Sequence, residues 1–123
     1  MKAWIPLTLL FALGTAVSAH ATCEYPQAPG ATPDGSTATK DQMVAAAQDF
    51  KRYNGQMNAY LDCLKLEMDA AAPKDPKKPT AEEKKQHDVL IQKNNAAVDE
   101  LQAVVGRFNE QLKIYKEKAK QAQ

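Results

Sequence analysis

The chain has 123 residues, with 16 basic and 15 acidic side chains and a formal charge of +1. This balance argues against a nucleic-acid-binding protein, because binding phosphates requires an excess of positive charge. After residue 21 no stretch is apolar enough to cross a bilayer, so the composition also argues against a membrane-spanning protein.

Residues 1–21 have the features of a cleaved secretory signal peptide. Lys2 precedes a mostly apolar stretch over 3–17, which is too short for a comfortable membrane span. Ala19 and Ala21 then place small residues at the −3 and −1 positions before Thr22. We therefore expect an exported, mature chain that begins near Thr22.

Residues 22–38 are expected to form an extended arm. Pro26, Pro29 and Pro33 oppose helix formation, and Gly30 and Gly35 add flexibility. The prediction is a polyproline-like course that ends in a turn at Asp34-Gly35-Ser36.

Cys23 and Cys63 are the only two cysteines, which in an oxidising compartment predicts a disulfide. The arm is long enough to run back along the first helix and bring Cys23 to Cys63, with Tyr25, Tyr53 and Tyr60 packed beneath it. An intermolecular bond between two chains is the competing interpretation. A lipid anchor on Cys23 is a further alternative, although His20 and Thr22 fit the lipid-attachment pattern poorly.

The remaining residues, 39–123, predict an all-α, coiled-coil-like antiparallel hairpin of two helices, over about 39–71 and 80–120. Thr37 or Thr39 is suited to cap the first helix. The prolines of the connector end it, and Thr80 with Glu83 forms a capping-box pattern that begins the second.

Both helices carry a seam whose steps alternate between four and three residues, which is the period of helices that wind around each other. The first seam consists of Met43, Ala47, Phe50, Asn54, Met57, Leu61, Leu64 and Met68. The second consists of His87, Ile91, Asn94, Val98, Leu101, Val105, Phe108, Leu112, Tyr115 and Ala119.

Each seam holds one central asparagine, and pairing Asn54 with Asn94 would satisfy two buried amides and fix the register. Phe50 then faces Val98, and the second helix overhangs the first. Leu112 and Tyr115 in the overhang either cover residues 36–38 or form part of a self-association surface. Together with Phe108 they make up the candidate contact surface. Apolar residues that flank the seams extend this candidate surface: Tyr53, Leu90 and Val104.

No motif predicts a reaction, and we expect a non-enzyme without cofactor or small-molecule substrate. Ser36 and His87 are expected at opposite ends of the hairpin, so a Ser-His-Asp site is not expected. With one nitrogen ligand at His87, a physiological metal site is not expected either.

Several strings in the chain resemble small exported helical proteins of proteobacteria whose function is uncharacterised. They are Cys23 with Pro26, then 33–39, Met43, 60–63, 95–101 and 107–112. The resemblance covers most of the mature chain. It implies a periplasmic setting and supports a cysteine pair, and it carries over no activity or ligand.

The leading functional hypothesis is a non-enzymatic periplasmic structural or interaction protein that binds a protein partner or itself. The alternative is a chaperone-like envelope stress protein that holds unfolded clients, by analogy of fold alone. A metal-binding protein is a third, weaker hypothesis. Clustered lysines near both ends of the second helix allow at most a peripheral membrane contact.

Overall fold

The computed structural model describes residues 22–122, and residues 1–21, the expected signal peptide, lie outside this range. Two helices occupy the described part: α1 over Lys40–Ala70 and α2 over Ala81–Gln121. They pack against each other, and residues 22–122 contain no strand. The prediction of a two-helix, all-α protein is confirmed. Neither helix has a stretch long and apolar enough to span a membrane.

Both helices begin at a reciprocal threonine cap. The Thr39 hydroxyl accepts a hydrogen bond from the Gln42 amide, and the Gln42 side chain accepts one from the Thr39 amide. Thr80 and Glu83 form the same arrangement, with distances of 2.8 and 3.2 Å. Each cap satisfies amide donors that have no partner within the helix, so the helix starts are determined locally.

Two contacts between the helices join residues that the predicted register did not pair. Phe50 stacks on Phe108, with ring centroids 4.9 Å apart, and its predicted pairing with Val98 stays a prediction. The polar contact between the helices runs from the Tyr53 hydroxyl to Glu100, at 3.1 Å. Asn54 and Asn94 are both half-buried, and their pairing stays a prediction.

The buried stripe on each helix lies to one side of the predicted seam. On α1, Tyr53 and Tyr60 are buried together with Met57 and Leu64 of the seam. On α2 the buried residues are Leu90, Ala97, Val104 and Phe108, whereas Ile91 of the predicted seam is exposed. The buried stripe of each helix is therefore rotated away from the predicted seam, toward the residues that flank the seam.

The N-terminal segment, residues 22–39, explains this rotation because it covers one side of the helix pair. Cys23 packs against the core cluster, and the Tyr25 ring meets the Tyr60 ring edge-on at 5.0 Å. Further along, residues 29–32 line a small cavity with Phe50 and Val104. The core thus has three walls, and side chains on the covered side become buried.

The end of the N-terminal segment covers the C-terminal part of α2. The Gly35 amide donates a hydrogen bond to the Gln111 side chain at 2.8 Å, and Ala38 is buried. Of the two predicted roles for the overhang, covering the start of the helical region fits these contacts. Leu112 and Tyr115 are half-buried here.

The close approach at Gly35 gives the first prediction. A Cβ at Gly35 would lie 2.8 Å from the Tyr115 amide nitrogen and closer still to the Gln111 carbonyl oxygen. We expect Gly35→Ala to lower the free energy of unfolding by about 1–3 kcal/mol, as backbone must move to relieve the overlap. Urea-induced unfolding measures this change.

Gly55 provides the matched control, because a Cβ there meets nothing within 4 Å and the residue lies within α1. Gly55→Ala should stabilise the protein by roughly 1 kcal/mol, since alanine is the better helix former. Equal stabilities of Gly35→Ala and the unsubstituted protein would show that the segment does not pack closely on α2.

Candidate functional site

Cys23 and Cys63 form a disulfide within one chain, with their Cα atoms 5.7 Å apart. The predicted bond is confirmed, and it joins the start of the N-terminal segment to the last third of α1. The intermolecular alternative does not apply to this structure. The bond also occupies the Cys23 sulfur, which lipid attachment would require.

Glu67 lies beside the disulfide. It follows Cys63 by one helical turn, so both side chains project from the same face of α1. The Cys23 amide donates a hydrogen bond to Glu67 Oε1 at 3.3 Å. Both sulfurs and a Glu67 carboxylate oxygen lie within 4.8 Å of one another, and all three residues are half-buried.

Glu100 of α2 forms a second cluster, with Tyr25 and Tyr53. The Tyr25 hydroxyl donates to Glu100 Oε2 at 2.5 Å, and the Tyr53 hydroxyl donates to Oε1 at 3.1 Å. One carboxylate therefore links the N-terminal segment, α1 and α2. Hydrogen bonds to a charged acceptor are stronger than neutral ones.

These contacts shift the acidity of the tyrosines. Burial, followed by the hydrogen bond to Glu100 and the charge of that carboxylate, raises the pKa of Tyr53 to about 12. The same causes raise the pKa of Tyr25 well above its ordinary value. Burial and then the Glu67 charge raise the pKa of Tyr60. All three phenols are therefore neutral over the physiological pH range, and those of Tyr25 and Tyr53 donate to Glu100.

An open groove of about 500 Å³ runs alongside the disulfide. Tyr25, Tyr60 and Cys63 contribute to its walls, and Arg52 and Glu24 add charge of both signs. Its openness leaves the vicinity of Cys63 accessible to solvent and to small solutes.

The residues considered for catalysis lie apart in the described structure. Ser36 donates its hydroxyl to Asp34 at 2.7 Å within the turn that covers α2, and hydrogen bonds from Ser36 lower the pKa of Asp34. His87 is exposed near the start of α2, beside a cavity of about 140 Å³ next to Pro73 and Pro79.

Most of the predicted contact surface is part of the core. Phe108 is only 7% exposed and stacks on Phe50, so its assignment to a contact surface is wrong. The flanking residues Tyr53, Leu90 and Val104 are buried as well, because the N-terminal segment encloses that side of the helices. Large exposed apolar side chains occur elsewhere: Val44, Leu66, Val89 and Ile91.

Sequence reasoning missed Glu67, Glu100 and Gln111. The spacing of Glu67 one turn after Cys63 was a usable signal, because it places both on one helix face. Glu100 and Gln111 resemble other polar residues of α2, and only the path of the N-terminal segment reveals their contacts.

Comparison with known protein families, with curated proteins and with solved structures finds no match to this chain.

The disulfide gives the second prediction. It joins residues 40 apart in sequence, so removing it frees a long loop in the unfolded chain. Replacing Cys23 and Cys63 together by serine should lower the free energy of unfolding by about 3–4 kcal/mol in the chain-entropy model. Denaturant unfolding of the two proteins at one pH measures the difference, and equal midpoints would contradict it.

The tyrosine cluster gives the third prediction. Because the pKa of Tyr53 is about 12 in the folded protein and near 10 when unfolded, the unfolded chain loses this proton first as pH rises. The resulting stabilisation is present below pH 10 and is lost up to about pH 12. We expect Tyr53→Phe to show a shallower fall of the unfolding free energy over that interval. Identical slopes would contradict the shift.

Proposed function

We propose that the protein is an exported, non-enzymatic helical module of the periplasm that functions by binding a protein, either a partner or a second copy of itself. In this proposal α1 and α2 form an antiparallel, coiled-coil-like hairpin, and residues 22–38 form a Pro-rich arm along α1.

The order of the interhelical contacts supports the antiparallel arrangement. Phe50 meets Phe108, whereas Tyr53, which comes later in α1, meets Glu100, which comes earlier in α2. The contacts of the arm follow the same logic, since Cys23 meets Cys63 and Tyr25 meets Tyr60. Export is supported by the signal-like residues 1–21 and by the disulfide, which persists in an oxidising compartment.

The observation that carries the binding proposal is the exposure of Leu66. This side chain is 70% exposed, whereas Leu64, in the same turn of α1, is fully buried. Successive helical residues are rotated by about 100°, so Leu66 points away from the core that Leu64 enters. It lies between Cys63 and Glu67, on a section of helix that the disulfide braces. Because the disulfide restrains this section of backbone, the backbone loses little freedom when a partner covers Leu66.

The fourth prediction tests this contact by placing a photo-crosslinking phenylalanine analogue at position 66 of the full chain in its native compartment. The same analogue at Asn58, an exposed polar position of α1, is the matched control. We expect an adduct of one defined mass from position 66 and none from position 58. In parallel, light scattering after size-exclusion chromatography gives the mass of the purified protein and of Leu66→Ser.

The outcomes distinguish between the molecules that could cover Leu66. An adduct of twice the chain mass, with a dimer that Leu66→Ser dissociates, identifies a second copy. An adduct with one other protein identifies a partner. Many adducts of different mass, together with suppressed aggregation of a denatured client at equimolar amounts, would support the chaperone-like function instead. A monomer without position-specific adducts would refute the binding proposal.

A further inference from the structure

Three potential metal ligands meet where the N-terminal segment joins α1. The sulfur atoms of Cys23 and Cys63 and a carboxylate oxygen of Glu67 all lie within 4.8 Å of one another. Within residues 22–122 this is the sole cluster of at least three cysteine, histidine or acidic residues close enough to share an ion. In the oxidised protein the sulfurs are bonded to each other, which leaves them without the negative charge of a thiolate ligand.

The helix positions two of these ligands without help from the disulfide. Cys63 and Glu67 are one turn apart within α1, so the backbone hydrogen bonds of the helix fix their relative placement. This spacing is intrinsic to α1 and persists for as long as the helix does.

Contacts other than the disulfide hold the third ligand in place. Tyr25, close to Cys23 in the chain, packs its ring against Tyr60 and donates its hydroxyl to Glu100. The Cys23 amide also donates to Glu67. Further along the segment, the Gly35 amide donates a hydrogen bond to the Gln111 side chain. Breaking the sulfur–sulfur bond therefore leaves Cys23 tethered near Cys63 and Glu67.

From this cluster we propose that the reduced protein binds a thiophilic divalent cation, with Zn²⁺ as the representative, through Cys23 Sγ, Cys63 Sγ and a Glu67 carboxylate oxygen. Two thiolates and a carboxylate are a ligand set that Zn²⁺ accepts, and a water molecule completes a tetrahedral site. The disulfide and the metal site are mutually exclusive states of the same residues.

Reduction of the disulfide and binding of the cation are two separate steps. A dithiol reductant transfers two electrons and two protons to the Cys23–Cys63 bond, giving two thiols, and is itself oxidised to a disulfide. The cation then displaces both thiol protons and forms two metal–sulfur bonds and one metal–oxygen bond. The open groove beside Cys63 gives such a reductant access to the bond. Binding is consequently tighter at higher pH, because two protons are released.

Titration of the full chain with Co²⁺ under anaerobic conditions tests the site. We expect the protein reduced by a phosphine to give sulfur-to-cobalt charge-transfer absorption at one ion per chain, which Zn²⁺ then abolishes. The oxidised protein should give no such absorption. Circular dichroism of the same samples reports whether the helices persist on reduction.

Two substitutions assign the ligands. Loss of a partner that only orients a ligand weakens metal binding by about 10–100-fold, so Glu67→Gln should weaken it by at least tenfold. Asp62→Asn is the matched control, because Asp62 is an exposed carboxylate of α1 that lies outside the cluster. Cys63→Ser should abolish the charge-transfer absorption.

Equal affinities of Glu67→Gln and Asp62→Asn would overturn the role of Glu67. A stoichiometry of one ion per two chains, or no binding by the reduced protein, would overturn the site itself. Loss of helical structure on reduction without recovery on adding Zn²⁺ would overturn it as well, since the ligands would then not be held together.

Discussion

The N-terminal segment is the third wall of a core that two helices cannot enclose. A pair of helices buries one stripe on each partner and leaves the sides of that stripe open to water. Here the segment lies over one of these sides, with Cys23 and Tyr25 at one end and Gly35 and Ala38 at the other. The burial of Tyr53, Tyr60 and Val104 depends on this cover.

The segment is held by three kinds of contact spaced along its length. A covalent bond fixes Cys23, a charged hydrogen bond fixes Tyr25, and a close backbone approach fixes Gly35. Because the segment forms neither helix nor strand, it has no internal backbone ladder to order it. Its conformational entropy must be offset by contacts with the helices, and each of them lies on a different part of α1 or α2.

The sequence predicted the helix starts and the disulfide, because each depends on only a few residues. The helix starts at Thr39 and Thr80 depend on caps that lie within four consecutive residues, and the disulfide follows from two cysteines having one possible partnership within the chain. The register depends on which stripe of side chains each helix buries. The alternating seam did not predict that the N-terminal segment would shift this buried stripe toward the flanking residues. The role of Glu100 was not predicted for the same reason: it depends on hydrogen bonds from Tyr25 and Tyr53, which come from separate parts of the chain.

A consequence concerns the order in which the structure is completed. Cys23 and Cys63 both precede α2 in the chain, so no residue of α2 is needed for the two sulfurs to meet. Their bond can thus form on α1 alone and keep the segment close to that helix. Tyr25, by contrast, has no carboxylate to bond until Glu100 is added. The covalent link thus requires only the segment and α1, whereas the contact of Tyr25 with Glu100 also requires α2.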